Sequence, residues 1–367
     1  MRILYDHQTF LLQRHGGISR YFFELITRVA VQPDAKVDLF MGIHINDYGM
    51  HAHRDRFERY FGVRRRDLPH LLTVSLMLDA FLFSRFARKS QADIYHPTYF
   101  YNLVPELNAK RVVTVYDMIY ELYPGDYSPD DVTAANKKEA VRRADRVICI
   151  SESTKVDLLN LIPLAEEKVK VIHLANSLTL AVDSPRAVDS PYVLFVGKRG
   201  GYKNFARLLA AYAHSSRVRR DYRLICFGGG PFHPAEIDRM RAMGLEGRVE
   251  VVGGSDRLLA NLYTYASLLV YPSLHEGFGV PPLEAMHYGC PVVVSNTSSM
   301  PEVVGEAGIY FDPHSEEQLI SAMEEVLYST SVRNAIVKVG HMRETLFSWD
   351  RCALETCALY RSVLTSS

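Results

Sequence analysis

Short apolar runs and amphipathic stretches alternate along this chain almost from end to end. Strand-like runs fall at Arg2–Tyr5, Val37–Phe40, Asp93–Tyr95, Arg111–Val115, Arg146–Ile150 and Val169–His173. A second series follows at Tyr192–Val196, Arg223–Phe227, Val249–Val252, Leu268–Tyr271 and Pro291–Ser295. Between several of them the apolar positions recur at helical spacing, over Gly17–Val29, Pro129–Ala144, Asn204–His214 and Pro281–Tyr288. Strands alternating with helices predict an α/β protein whose parallel sheets carry helices on both faces.

One segment breaks the rhythm. Ala181–Pro191, rich in Pro, Ser and Asp and without periodicity, is expected to be a linker. It separates a first Rossmann-like domain over residues 1–180 from a second over 192–345. Ligands of open parallel sheets bind beyond the carboxyl ends of the strands, so the two sheets are expected to face a central cleft. The amphipathic stretch Trp349–Leu364, within residues 346–367, is expected to form a helix that packs back on the first domain.

Composition narrows the classes of function. With 48% hydrophobic and 23% charged residues, the 367-residue chain has ordinary globular composition. Basic and acidic residues balance at 42 each, which argues against a nucleic-acid partner. The five cysteines include no Cys-x-x-Cys pair, so structural roles are expected rather than zinc or redox chemistry. The first apolar stretch is broken by Asp6 and His7, unlike a signal peptide, and the expected compartment is the cytoplasm. No run attains the roughly 18 apolar residues of a membrane span.

The densest chemical signal is Glu276-Gly-Phe-Gly-Val-Pro-Pro-Leu-Glu284, after the run Leu268–Tyr271. Pro281 and Pro282 suit the first turn of a helix, where missing N–H groups cost nothing, and Gly289 suits its end. Glu284 is then expected in that first turn, with Glu276 in the loop before it. Gly277 and Gly279 let backbone amides approach a ligand, and a helix N-terminus favours phosphate. One carboxylate is placed to accept hydrogen bonds from sugar hydroxyls, the other from a ribose. Two glutamates at this spacing, taken alone, also fit a strand–turn–helix corner with solvated carboxylates.

This motif resembles the Glu-x7-Glu signature of the retaining GT-B glycosyltransferases of family 4. The stretch Phe195-Val-Gly-Lys-Arg-Gly-Gly-Tyr-Lys-Asn-Phe205 is similar to that family's donor-phosphate loop, with Lys203 at its lysine and Arg199 near a common arginine. Cations by a glycine-rich turn suit a diphosphate whose charge grows as its bond to the sugar breaks, although a solvated basic turn has the same composition. The resemblance implies Glu276, Asp117 and Lys203 as catalytic groups. It implies a donor site of Arg199, Lys203, Asn204, Gly16, Gly17, Gly277, Phe278, Gly279 and Glu284. His15-Gly16-Gly17-Ile18-Ser19-Arg20-Tyr21 resembles the loop whose glycine amides lie near the donor phosphate beside the acceptor, though it also fits a plain strand–helix turn. Its missing third glycine disfavours a nicotinamide cofactor.

Thr114-Val115-Tyr116-Asp117 ends a strand where relatives often carry His then Asp. A tyrosine at 116 can hydrogen-bond but cannot become an imidazolium near neutral pH. Asp117 reads either as a sugar contact or as a helix cap. Asp93–Thr98 and Ile150–Lys155 also match the family and are assigned positioning at most. Glu284-x-x-His287 has di-iron spacing but lacks a second copy, and no Asp-x-Asp offers a magnesium anchor.

The resemblance implies a metal-independent transferase without cofactor. It takes a nucleotide-diphosphate sugar, GDP-mannose by the style of the Gly201–Phe205 loop, to a saccharide or lipid-linked acceptor in surface polysaccharide synthesis. The alternatives are a non-catalytic nucleotide-sugar-binding scaffold of the same fold and a nucleotide-sugar isomerase or hydrolase. Residues 54–89 add an expected peripheral contact with the inner face of the cell membrane: Arg54, Arg56, Arg59, Arg64, Arg65 and Arg66 precede Leu71–Leu78, Phe81, Phe83 and Phe86. A core-facing helix behind a solvated basic loop fits the same residues.

Overall fold

The computed structural model describes residues 1–65, 70–101 and 107–365, and for residues 70–76 the backbone alone. Two units emerge, Met1–Leu174 with Ser348–Ser367, and Ala175–Phe347.

The first unit is built on seven strands: β1 (Arg2–Tyr5), β2 (Lys36–His44), β3 (Arg59–Arg64), β4 (Ile94–His96), β5 (Lys110–Val115), β6 (Arg146–Cys149) and β7 (Val169–Val171). Their order is β3-β2-β1-β4-β5-β6-β7, every neighbour parallel. The second holds six: β8 (Tyr192–Val196), β9 (Arg223–Phe227), β10 (Val249–Val252), β11 (Leu268–Tyr271), β12 (Val292–Ser295) and β13 (Gly308–Phe311). Here too all pairs are parallel, in the order β10-β9-β8-β11-β12-β13. This is the expected α/β architecture. In each sheet the chain reverses its direction of travel beside the first strand, between β1 and β4 and between β8 and β11. Loops leaving such neighbours diverge to opposite faces and open a crevice beyond their carboxyl ends.

Two strands escaped the sequence reading. The basic stretch before residue 66 is not a loop: Arg59–Arg64 pairs along β2 as an edge strand, with Phe61 stacked on Phe40 at 5.1 Å. Charged residues are what an exposed edge tolerates, and they hid the alternation. β13 is only four residues long and begins with a glycine. The helix expected over Pro129–Ala144 forms over Thr133–Arg142, and Asp131 Oδ1 in the turn before it accepts the Thr133 N–H at 2.7 Å. Residues 181–191, expected as a linker, run along the second unit, where Asn261 Nδ2 donates to the Ser184 and Pro185 carbonyls and Asn261 Oδ1 accepts the Ala187 N–H.

The helix Trp349–Thr365 belongs to the first unit and is held there by polar contacts as well as packing. Tyr360 hydroxyl meets His96 Nδ1 at 2.6 Å and Tyr5 hydroxyl at 2.8 Å, and His96 Nε2 meets Thr114 Oγ1 at 2.9 Å. Burial pushes the His96 imidazolium down to about 3, so the ring is neutral at physiological pH. Beside it, the buried Asp6 carboxylate accepts from Tyr95 hydroxyl at 2.5 Å and from Thr98 N–H at 2.9 Å. Each of these buried polar groups is thus satisfied within the unit.

The helix His70–Ser90 lies against β2 through Asp79 and Phe83, both buried. Asp79 accepts the Ile43 N–H with both carboxylate oxygens, at 2.9 and 3.0 Å, beside the bulge in β2. All five cysteines are buried and free.

Candidate functional site

Every group of the second unit's site hangs from the carboxyl ends of β8 and β11. After β8 the chain passes through Gly197 and a short turn over Gly201–Lys203 into the helix Phe205–His214. After β11 it forms the loop to Gly279 and enters the helix Val280–His287. Because β8 and β11 are sheet neighbours, residues 68 to 73 positions apart meet in one place.

Lys203 Nζ stands 2.6 Å from Glu276 Oε1 and 3.0 Å from Tyr271 hydroxyl, with the lysine and glutamate side chains 14% and 9% exposed. Tyr271 is buried at the end of β11; burial, and after it the Glu276 charge, hold its phenol well above the ordinary value. It therefore keeps its proton and can donate to the glutamate while accepting from the lysine. Its ring also lies 5.2 Å from Nζ, within cation–π range. The structure brings Lys203 and Glu276 together and adds Tyr271. An apolar strand ending in tyrosine was the available signal, but nothing in its spacing separates it from core.

Glu284 lies one residue further into its helix than expected. The helix begins at Val280, so Glu284 is its fifth residue, beyond the first turn. It is buried and accepts a 2.9 Å hydrogen bond from Tyr263 hydroxyl. The helix opens at Gly279 with φ +100, a left-handed conformation, and a Cβ there would collide with the Met300 methyl. A glycine is needed at that position. Phe278 is buried edge-on against Phe347, 5.5 Å between centroids, as an anchor of the loop between Glu276 and the helix. Gly277 lies buried between them.

Arg199 does not join this cluster. Its guanidinium binds Glu236 at 2.8 Å and the carbonyls of Gly228, Gly230 and Pro231 at 2.8–3.1 Å, pinning the glycine turn after β9. Asn204 turns its amide to the Pro272 and Pro313 carbonyls. His287, three residues after Glu284, faces Glu344 at 3.4 Å rather than a shared metal position. Among the described residues no three His, Cys, Asp or Glu side chains are grouped to hold a metal ion.

The first unit carries the other sequence-derived positions. Gly16 precedes the helix Gly17–Val29, its N–H donating to Tyr48 hydroxyl at 3.1 Å, while Gly17 has open space around its Cα. Asp117 follows β5, accepts the Ile119 N–H at 3.0 Å, and lies 3.9 Å from Lys137 Nζ. A small hollow beside it is lined by Ile18, Tyr99, Phe100, Tyr116, Tyr120 and Lys137. Tyr116 is buried, and burial holds its phenol well above the ordinary value.

Residues 179–341 match the family model described as glycosyl transferases group 1, and residues 15–175 match that of glycosyltransferase family 4. The chain is 28% identical to O-antigen chain mannosyltransferase B of Escherichia coli, over 94% of its own length and 96% of the relative's. It is 27% identical over 73% of its length to the serotype-specific mannosyltransferase WbdA of Escherichia coli, of which it spans only about a third. Among solved structures, sucrose-phosphate synthase from Thermosynechococcus elongatus superposes over the whole of both chains with a TM-score of 0.77 at 23% identity, a likeness of fold.

The hydroxyl of Tyr271 bridges two buried charges, and hydrogen bonds to charged groups contribute about 1.5–3 kcal/mol. Tyr271→Phe, which keeps the ring, is therefore expected to lower the stability of the second unit by about that amount in urea unfolding. An unchanged midpoint and slope would show that the hydroxyl does not join the lysine to the glutamate.

Proposed function

The chain belongs to glycosyltransferase family 4, with the GT-B fold, and on that premise we propose that it is a retaining mannosyltransferase. Its donor is GDP-mannose, and its acceptor is a saccharide or lipid-linked saccharide in surface polysaccharide synthesis. The observation that carries the reading is the desolvated Lys203–Glu276–Tyr271 cluster beyond β8 and β11. Similarity to an O-antigen mannosyltransferase along nearly the whole chain favours mannose and a polysaccharide product.

The roles follow from charge and placement. Lys203 meets the diphosphate, where negative charge accumulates as the anomeric C–O bond breaks. Its partners keep it largely out of water until the diphosphate replaces Glu276 at the ammonium. Glu276 accepts hydrogen bonds from the sugar hydroxyls, and Glu284 from the ribose. Gly277, Phe278 and Gly279 shape the loop that carries them, Asn204 fixes the start of the helix after Lys203, and Arg199 holds the turn at Gly228–Pro231. By the family resemblance Gly16 and Gly17 serve the donor phosphate and Asp117 the sugar. Glu276 is engaged with Lys203 and Tyr271, which suits gripping rather than nucleophilic attack. Retention then comes from front-face substitution: the acceptor oxygen bonds the anomeric carbon as the phosphate oxygen leaves, and that oxygen takes the acceptor proton. Fixed cations and amides carry the charge without a metal.

A radiolabelled GDP-mannose transfer assay in EDTA, with membrane lipid extract as acceptor, tests this reading. Lys203→Ala should lose about 100- to 1000-fold in turnover, the effect of removing one preorganised charge contact, with the fold intact. Glu284→Ala should weaken GDP binding in calorimetry, while Glu276→Ala should leave it nearly untouched and damage transfer. Normal turnover of folded Lys203→Ala, or the reverse pattern for the glutamates, contradicts the assignment.

The same reading includes a peripheral membrane contact through residues 54–89. No helix among the described residues is long and apolar enough to cross a membrane. On the helix His70–Ser90, Met77 and Phe81 are 74% and 61% exposed, with the Arg85 guanidinium 5.9 Å over Phe81. Arg59, Arg85 and Lys89 border a groove floored by Phe40, Phe61 and Phe86. Arg64 pairs with Asp47 at 2.7 Å; Arg66 and the side chains of residues 71–76 lie outside the described residues. Each cation near anionic lipid contributes about 1 kcal/mol. The protein should co-sediment with phosphatidylglycerol vesicles at low salt but not with phosphatidylcholine, and Phe81→Ser with Arg85→Ser should release it. Wild-type protein left in the supernatant with anionic vesicles refutes the contact.

A further inference from the structure

The loop that carries Glu276 is gripped from a segment outside every motif discussed so far. Between β12 and the helix Met300–Val304 stand three consecutive hydroxyl residues, Thr297, Ser298 and Ser299. Thr297 Oγ1 donates to the Leu274 carbonyl at 3.0 Å. Ser298 Oγ accepts the Glu276 N–H at 2.9 Å. Ser299 Oγ lies 2.9 Å from both the Glu276 and Phe278 carbonyls, its single proton shared between them. Both backbone polar groups of Glu276 are thus held by side chains from this one segment. The next residue, Met300, packs against the left-handed Gly279 at the other end of the loop.

Ser298 adopts φ +50 to do this. A serine occupies that region at a cost and persists in it only where its surroundings over-determine the conformation. Ser299 is fully buried. A loop that only connected a strand to a helix would not require both partners of one residue's peptide groups to be built this way.

We propose that Ser298 and Ser299 are positioning residues for sugar transfer, setting where the Glu276 carboxylate stands relative to Lys203 and the bound sugar. The proposal rests on the reading of Glu276 as the sugar-gripping group. It makes a distinction that a purely structural role does not. Ser298→Gly removes the hydroxyl but supplies a residue at ease at φ +50, so the melting temperature should hold while the loop loses its anchor. Misplacement of a binding group by a fraction of an ångström to an ångström lowers turnover by about 10- to 100-fold.

The test is the transfer assay with GDP-[14C]mannose, alongside GDP calorimetry and thermal melting. Ser298→Gly is expected to melt like the wild type and bind GDP like the wild type, with kcat down about 10-fold or more. Ser299→Ala should fall similarly, and Ser299→Thr, which keeps the hydroxyl, should recover most of the rate. If Ser299→Ala does not fold, Ser298→Gly decides alone. Wild-type kcat in Ser298→Gly, beside a crippled Glu276→Ala, overturns the positioning role and leaves the Glu276 reading standing. Normal transfer by Glu276→Ala instead overturns the reading beneath it.

Discussion

A lysine ammonium and a glutamate carboxylate, 2.6 Å apart and largely removed from water, are the constraint around which the second unit is arranged. Burying two charges is costly unless their remaining valences are satisfied, and removing one partner leaves the other stranded at a cost of about 3–5 kcal/mol. Tyr271 supplies a third polar group from the strand between them. The order of the sheet makes this meeting possible, because β8 and β11 are neighbours although far apart in the chain. On the proposed reading, most of the desolvation of Lys203 is already complete before a diphosphate arrives. The ligand then exchanges one anionic partner for another rather than drawing a solvated lysine out of water.

The first unit handles polarity differently. Its buried groups at the carboxyl ends of β1, β4 and β5 form closed hydrogen-bond circuits around Asp6 and His96, and the Tyr360 hydroxyl from the last helix completes one of them. A neutral His96, pushed down to about 3 by burial, serves as a structural link between sheet and helix. The more open groups, Gly17 and Asp117, lie at the mouths of the neighbouring loops.

Much of this was legible in the residues. Four- and five-residue apolar runs bounded by turn formers located most strands, with Tyr192–Val196 and Leu268–Tyr271 matching residue for residue. Pro281, Pro282 and Gly289 marked the ends of the helix that carries Glu284 because each answers a backbone requirement readable locally. What stayed hidden depends on partners distant in sequence. Arg59–Arg64 looked like a basic loop because an edge strand can be charged, and the acceptors of Arg199, Glu236 and three carbonyls, are visible only once folded. Glu284 was misplaced by part of a turn, within the usual error of a helix boundary. Tyr271 and the hydroxyls at 297–299 carry no spacing signal at all, since their work is done across the sheet.

A crystal structure with GDP-mannose bound tests the central claim most directly. The account predicts the nucleotide beyond the carboxyl ends of β8 and β11, with Lys203 Nζ within about 3 Å of a diphosphate oxygen and the Glu276 carboxylate on a mannose hydroxyl. Lys203 still closed on Glu276, with the diphosphate held by other groups, would contradict it.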